Sequence, residues 1–361
     1  MRWTASDKYY QMNKLILSKL SVIAIAVMTL CSCTDINTDV TGGGDSDAGE
    51  TPDMQEKPDE QEKPESSNVL VKTKELSGNL IVSAIFSAKA LNFSKIFVAL
   101  PLPLSNQYQD ITIVDTDGSE GQTEGGNSIL YWSPTYANGD VVDLNCEYEV
   151  SYTTYSVNVD FSGIKTIFPY NTESEEYKKY LGNTGEYIVP ANPEIESIAS
   201  SIWAQSTDVL DYAEKCYEYT ASNYRYLNPL TGIHTLAENL SNGGGDCGNL
   251  TAIYMSLLRN KNIPTRPVVC IRPDATCHVW CEFYLESYGW IPVDVTYKNS
   301  DMRGNYFGVY PGDCIVVSNE YDVFMKNGND EYTLPLLQNF AFWYWNMSDM
   351  EYWYYIWNVA L

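Results

Sequence analysis

One stretch constrains this chain more than any other: Gly243-Gly244-Gly245-Asp246-Cys247-Gly248-Asn249-Leu250. Three consecutive glycines permit backbone angles and close approaches that any side chain would forbid. From Asn249 onward the pattern turns helical, with Leu250, Ile253, Tyr254, Leu257 and Leu258 at i, i+3, i+4, i+7 and i+8. That spacing is one apolar stripe of period 3.6, facing a core. Arg259 and Lys261 close the stripe, and Pro264 lies just beyond it. Cys247 therefore stands at a helix N-terminus, where unpaired N–H groups and the positive dipole end favour a thiolate.

A thiolate nucleophile needs a base, and the chain holds two histidines, His234 and His278. Val268-Val269-Cys270-Ile271 reads as a buried strand, and a short loop, 272–276, leads from it to a second strand beginning at His278. A turn around Glu286-Ser287-Tyr288-Gly289 returns the chain as Trp290-Ile291-Pro292-Val293-Asp294-Val295. A hairpin centred near Glu286 or Ser287 brings His278 opposite Asp294 or one pair away from it. Asp294 then holds one imidazole nitrogen while the other faces Cys247, the arrangement of nucleophile, base and orienter.

These residues carry a family resemblance. Gly245-Asp246-Cys247-Gly248, Asn262-Ile263-Pro264-Thr265-Arg266, His278-Val279-Trp280 and Gly289-Trp290-Ile291-Pro292-Val293-Asp294-Val295-Thr296 resemble the bacterial transglutaminase-like superfamily over roughly residues 190–320. The resemblance implies a papain-like core of helices packed on an antiparallel sheet, with the catalytic residues at Cys247, His278 and Asp294. Val279 departs from the alanine more usual there and leaves the three intact. The superfamily includes cross-linking enzymes, peptidases, amidases and inactive members, so the reaction stays open. Tyr226 and Asn242 are the candidates for a second oxyanion donor beside the Cys247 N–H.

Blander readings stand beside these. His234 has no carboxylate motif next to it and reads as structural or as part of a substrate cleft. Cys277 and Cys281 flank His278, yet on a strand residues four apart lie about 13 Å from each other and match no common zinc spacing. No metal and no cofactor is expected, although calcium stays open. Seven cysteines fall in the folded part (Cys146, Cys216, Cys247, Cys270, Cys277, Cys281 and Cys314), and the odd number fits one thiol left reduced.

Residues 1–33 read as an export signal. Lys14 and Lys19 precede an apolar run from Leu20 to Leu30, too short to span a membrane. Leu30-Cys31-Ser32-Cys33 resembles a bacterial lipoprotein box with Cys33 acylated, and translation starting at Met12 would shorten the long leader. Residues 34–68 hold eleven Asp or Glu against two Lys and cannot bury enough apolar surface to order, so they read as a disordered tether. Asp35 behind Cys33 resembles the acidic export signal of Bacteroidetes lipoproteins. The expected location is therefore the cell envelope, anchored in the outer membrane by lipid.

Residues 69–165 read as a β-sandwich, with strands at 79–86, 95–100 and 147–152 and an exposed, mobile loop at 115–127. Residues 166–361 read as the catalytic domain, with helices across 192–226 and aromatic-rich strands at its end. Ten of the last twenty-two residues are aromatic, with Trp343, Trp345, Trp353 and Trp357 as core or as a sugar-stacking wall. A net charge of −25 without a basic stripe argues against nucleic acid. The fold expected is thus α+β, and the function expected is cysteine acyl transfer at amide bonds of a protein or peptide, hydrolytic rather than cross-linking. A non-catalytic surface lipoprotein that captures glycan or peptide is the alternative.

Overall fold

The computed structural model describes residues 69–90, 95–137, 140–227, 232–272, 276–345 and 350–360, all of which belong to one unit, Gln61–Leu361. Residues 1–68, where the sequence reading expects an export signal, a tether and an acylated Cys33, lie outside the described residues. Helices are few and strands many, and the larger sheets are antiparallel.

Two long strands, β1 (Leu70–Ala90) and β6 (Val141–Val159), pair from Leu70 opposite Val159 to Lys89 opposite Val141. Along β6 the far edge is taken by β3 (Gln109–Thr116) and β12 (Val309–Tyr310), while β17 (Met350–Ala360) covers the far edge of β1. A second sheet runs in the order β16 (Ala341–Trp345), β2 (Lys95–Pro101), β5 (Ser128–Trp132), β4 (Ser119–Gln122). Leu80, Val82, Ala84, Tyr148 and Val150 of the first sheet are buried in one cluster with Ile96, Val98, Leu100 and Leu130 of the second. The opposite face of β2 is covered as well. Phe97 and Ala99 pack with Val323, Met325 and Tyr332 of a hairpin, β14 (Val323–Asn327) and β15 (Asp330–Leu334). Burial on both faces explains why β2 reads as an unbroken apolar run instead of an alternating one.

A third sheet, β11 (Gly289–Val293), β10 (Cys277–Leu285), β9 (Thr265–Ile271) and β13 (Ile315–Ser318), supports the helices. After α1 (Glu175–Lys179) come α2 (Pro193–Trp203), α3 (Val209–Asn223), α4 (Leu236–Asn242), α5 (Cys247–Asn260) and α6 (Val295–Ser300). Two short parallel pieces, β7 (Arg225–Tyr226) and β8 (Gly244–Gly245), join the end of α3 to the start of α5. Helix α5 is buried almost all round, beyond the single stripe its sequence shows, because α2, α3, α4 and β10 pack about it. Ala252 and Ser256 are the small residues that let those neighbours close in.

The N-terminal and C-terminal parts differ from the sequence reading in one respect. Strands β16 and β17, assigned on sequence to residues 166–361, pair with β2 and β1 of residues 69–165. Edge strands with open hydrogen-bonding groups need partners, and the end of the chain supplies them. Of the 115–127 loop, β4 pairs with β5, and Glu320 accepts from Thr123 Oγ1, the Gly125 N–H and Asn127 Nδ2. Trp343 packs on Phe97 and Tyr332, so its ring is a core ring; the side chains of Trp345, Trp353 and Trp357 lie outside the described set.

The sandwich and the third sheet are also tied by a buried charge. Glu282, in the middle of β10, is fully buried. Its carboxylate accepts from Arg266 Nε at 2.6 Å, Tyr108 OH at 2.5 Å and Gln107 Nε2 at 2.6 Å. A buried carboxylate of this kind persists only because its lone pairs are satisfied. Nearby, a disulfide joins Cys270 of β9 to Cys314, just before β13.

Candidate active site

The glycine triplet does two separate things. Gly243, at φ 70°, ends α4 in the left-handed conformation. Gly244, at φ 140°, lies so close to β7 that a Cβ there would sit 2.0 Å from the Arg225 carbonyl oxygen. That approach sets Gly245 beside Tyr226 and delivers the chain to Cys247. Asp246 caps α5, its Oδ1 accepting from the Asn249 N–H and, at 2.8 Å, from Asn249 Nδ2. Tyr321 OH donates to the Gly248 carbonyl at 2.9 Å, fixing the first turn from the other side. Thr251 Oγ1 donates to the Val279 carbonyl, which pins the helix to the strand carrying His278. Cys247 is thus the first residue of a helix whose start is held on three sides, and it is half-buried.

Hairpin β10–β11 pairs Cys281 with Val293 and turns about Ser287, where φ is 71°. Continued, that register puts Asp294 opposite Trp280, two residues along the strand from His278, as a turn centred on Ser287 implies. The strand ends earlier than expected, at Val293, because Asp294 is the N-cap of α6. Its two oxygens divide the tasks. Oδ1 accepts the N–H groups of Thr296 and Tyr297, and Oδ2 lies 2.6 Å from His278 Nε2. Both side chains are about 5% exposed. The Cys247 sulfur is close enough to the same imidazole to favour its charged form. With Nε2 held by Asp294, Nδ1 is the ring nitrogen left for the thiol.

Burial opposes a charge on the His278 ring, but the Asp294 carboxylate and then the Cys247 sulfur outweigh it, and the group is pushed up to about 10. Its ordinary value is 6.5. The stability that the imidazolium contributes is therefore complete below pH 6.5 and is lost as pH rises through about 10. Denaturant unfolding between those limits should show stability falling by up to about 1.4 kcal/mol per pH unit. His278→Gln should flatten that slope; an unchanged slope would contradict the pairing.

Around this centre stand groups that sequence reasoning placed incompletely. Tyr226 is exposed, and the charges of Cys247 and Asp246 add to burial in raising its phenol. It is near the sulfur, whereas Asn242 is an exposed residue at the end of α4. His234 is stitched to α5, its N–H donating to Asn249 Oδ1 at 2.8 Å, and it helps to hold down the Asp246 carboxyl that burial raises. Cys277 and Cys281 donate to the carbonyls of Gln338 and Val293. Among the described residues no cluster of His, Cys, Asp or Glu has the arrangement of a metal site. Tyr297, Arg272 and Asp313 were not singled out on sequence. Tyr297 follows the capping Asp294 by three, a local signal, but Arg272 and Asp313 are distant in the chain and meet only in the fold.

The structure thus brings together a half-buried cysteine at a helix N-terminus and a buried imidazole held by a buried carboxylate. Residues 196–295 match the model of the transglutaminase-like superfamily, and the chain carries a transglutaminase-like domain. No curated protein matches the chain. Among solved structures, a protein from Cytophaga hutchinsonii named for cysteine protease activity has the same fold, with a TM-score of 0.53 at 11% identity over 81% of this chain and 92% of that one. The periplasmic domain of TgpA from Pseudomonas aeruginosa aligns at 14% identity and a TM-score of 0.35, over 62% of this chain and 90% of that one. Legionella pneumophila LapG aligns at 17% identity and 0.27, over 36% and 83%.

Proposed function

We propose that the chain is a cysteine acyl-transfer enzyme acting on amide bonds of proteins or peptides, with water as the acceptor. The observation that supports this best is the buried His278–Asp294 pair at 2.6 Å, with the Cys247 sulfur near enough to favour the charged ring. Cys247 Sγ attacks the amide carbonyl carbon, its proton having passed to His278. The Cys247 N–H, which has no partner within its helix, would donate to the developing oxyanion, with the Tyr226 hydroxyl as the candidate second donor. His278 then gives its proton to the amide nitrogen, the C–N bond breaks, and a thioester to Cys247 remains. Water, losing a proton to His278, attacks the thioester and returns the acid and the free thiol. Asp294 orients the ring throughout and offsets its charge. Hydrolysis is favoured over cross-linking because the centre opens to solvent at half-buried Cys247 and exposed Tyr226.

The test is turnover of a peptide-amide library with and without added primary amine. The reading expects carboxylic acid product, abolished in Cys247→Ala; product that carries the amine instead would make the enzyme a cross-linker. The same proposal puts the enzyme at the cell envelope, on a lipid at Cys33, from the apolar run and Cys box of residues 14–33. Among the described residues no helix is long and apolar enough to cross a membrane. Labelled palmitate should enter the wild-type chain and be lost in Cys33→Ala; equal labelling of both would rule this anchor out.

A further inference from the structure

The face of the His278 ring is covered. Tyr297 stacks on it with centroids 4.9 Å apart and planes 15° from parallel. The phenol is itself held at its far end. Its hydroxyl donates to Asp313 Oδ2 at 2.6 Å and accepts from Arg272 Nη2, while Arg272 Nε donates to the same Asp313 oxygen at 3.3 Å. These three residues come from three elements: the start of α6, the end of β9 and the segment before β13. The last two are clamped together by the Cys270–Cys314 disulfide, one residue inside Arg272's neighbour and one beyond Asp313. Cys270 is also the register partner of His278 across β9 and β10. At its other end Tyr297 is fixed through its N–H, which donates to Asp294 Oδ1 at 2.9 Å.

We propose that Tyr297, anchored by Arg272 and Asp313, is a positioning residue that holds the His278 ring between Cys247 and Asp294. This rests on the cysteine acyl-transfer reading. An imidazole bound by one nitrogen to a carboxylate can still swing about that bond. A flat partner on its face, anchored at the hydroxyl, removes the swing and keeps the second nitrogen on the sulfur. The ring also presents its negative face to the imidazolium formed when the thiol ionises. Burial, then the Asp313 bond, raises the phenol, so it stays neutral and does not compete as a base. The groups that face the imidazole are Cys247 from α5, Asp294 from the α6 cap and Tyr297 from α6; Arg272 and Asp313 face Tyr297.

The test uses the alkylation rate of Cys247 by iodoacetamide from pH 5 to 8, read by peptide mass spectrometry on the folded chain. Tyr297→Leu removes stack and anchor and should slow alkylation at pH 6 by roughly tenfold, moving the acid limb upward. Tyr297→Phe keeps the stack and should recover most of the rate, with a loss of about threefold. Arg272→Gln, which leaves the ring in place, should match Tyr297→Phe. The proposal is overturned if folded Tyr297→Leu alkylates within a factor of two of wild type while His278→Ala is strongly slowed, which leaves the acyl-transfer reading standing. Should Tyr297→Leu fail to fold, Tyr297→Phe and Arg272→Gln decide, and wild-type rates and profiles in both overturn it. Wild-type Cys247 reacting no faster than the other thiols would overturn both readings together.

Discussion

His278→Ala lowers amide turnover by about a thousandfold or more, and Cys247→Ala removes it altogether. The size follows from the geometry. In the proposed reaction one ring accepts the thiol proton and later supplies the proton that lets the amine leave, so both halves fail together. Residues that act as a unit are not additive, and the double variant should be no worse than Cys247→Ala alone. Steady-state turnover of the best library substrate measures this. A His278→Ala enzyme within tenfold of wild type would remove the base from the account.

Asp294→Ala has the second large effect, and it falls on activity and stability at once. The carboxylate caps α6 with one oxygen and holds His278 with the other. Loss of the cap costs about 1 kcal/mol, and stripping a buried imidazolium of its partner costs roughly 3–5 kcal/mol. Turnover should fall by about a hundredfold to ten-thousandfold. Asp294→Asn separates the two tasks, because an amide has one oxygen. If that oxygen keeps the cap, the amide nitrogen faces His278 Nε2 and no charged ring can form opposite the thiolate. The Asn variant keeps the cap, so it should be more stable than Asp294→Ala and come nearest to wild type above about pH 10, where the imidazolium contribution is gone, yet lose about a hundredfold in turnover. Denaturant melts and kinetics on the same preparations decide it; equal losses in both would merge the two roles.

How far the sequence anticipated this structure depends on how local each feature is. The start of α5 was plain because glycines, a cap and an apolar stripe are contiguous. His278 and Asp294 could be brought together because a hairpin converts even spacing into proximity. That Asp294 ends the strand and caps a helix was missed, since Val295-Thr296 reads equally well as strand. The clamp on His278 was invisible, as Arg272 and Asp313 are forty-one residues apart and acquire meaning only through β9–β13 pairing. The long reach of β1 and β6 was also hidden. Polar residues such as Lys72 and Lys74 break the apolar pattern, but the partner strand continues the ladder past them. The C-terminal strands were recognised as strands and misassigned to their neighbours in sequence, because pairing with β1 and β2 is a contact across most of the chain.

The account stands on the thiol and the imidazole acting as one group, and selective alkylation tests that most directly. Burial raises the thiols of Cys146, Cys216 and Cys281, so at neutral pH these should be slow. Under limiting iodoacetamide at pH 6.5, Cys247 should be modified at least about tenfold faster than Cys146, Cys216, Cys277 or Cys281. That excess should vanish in His278→Ala. Modification of Cys247 at the pace of the other cysteines, or a rate indifferent to His278, would contradict the account.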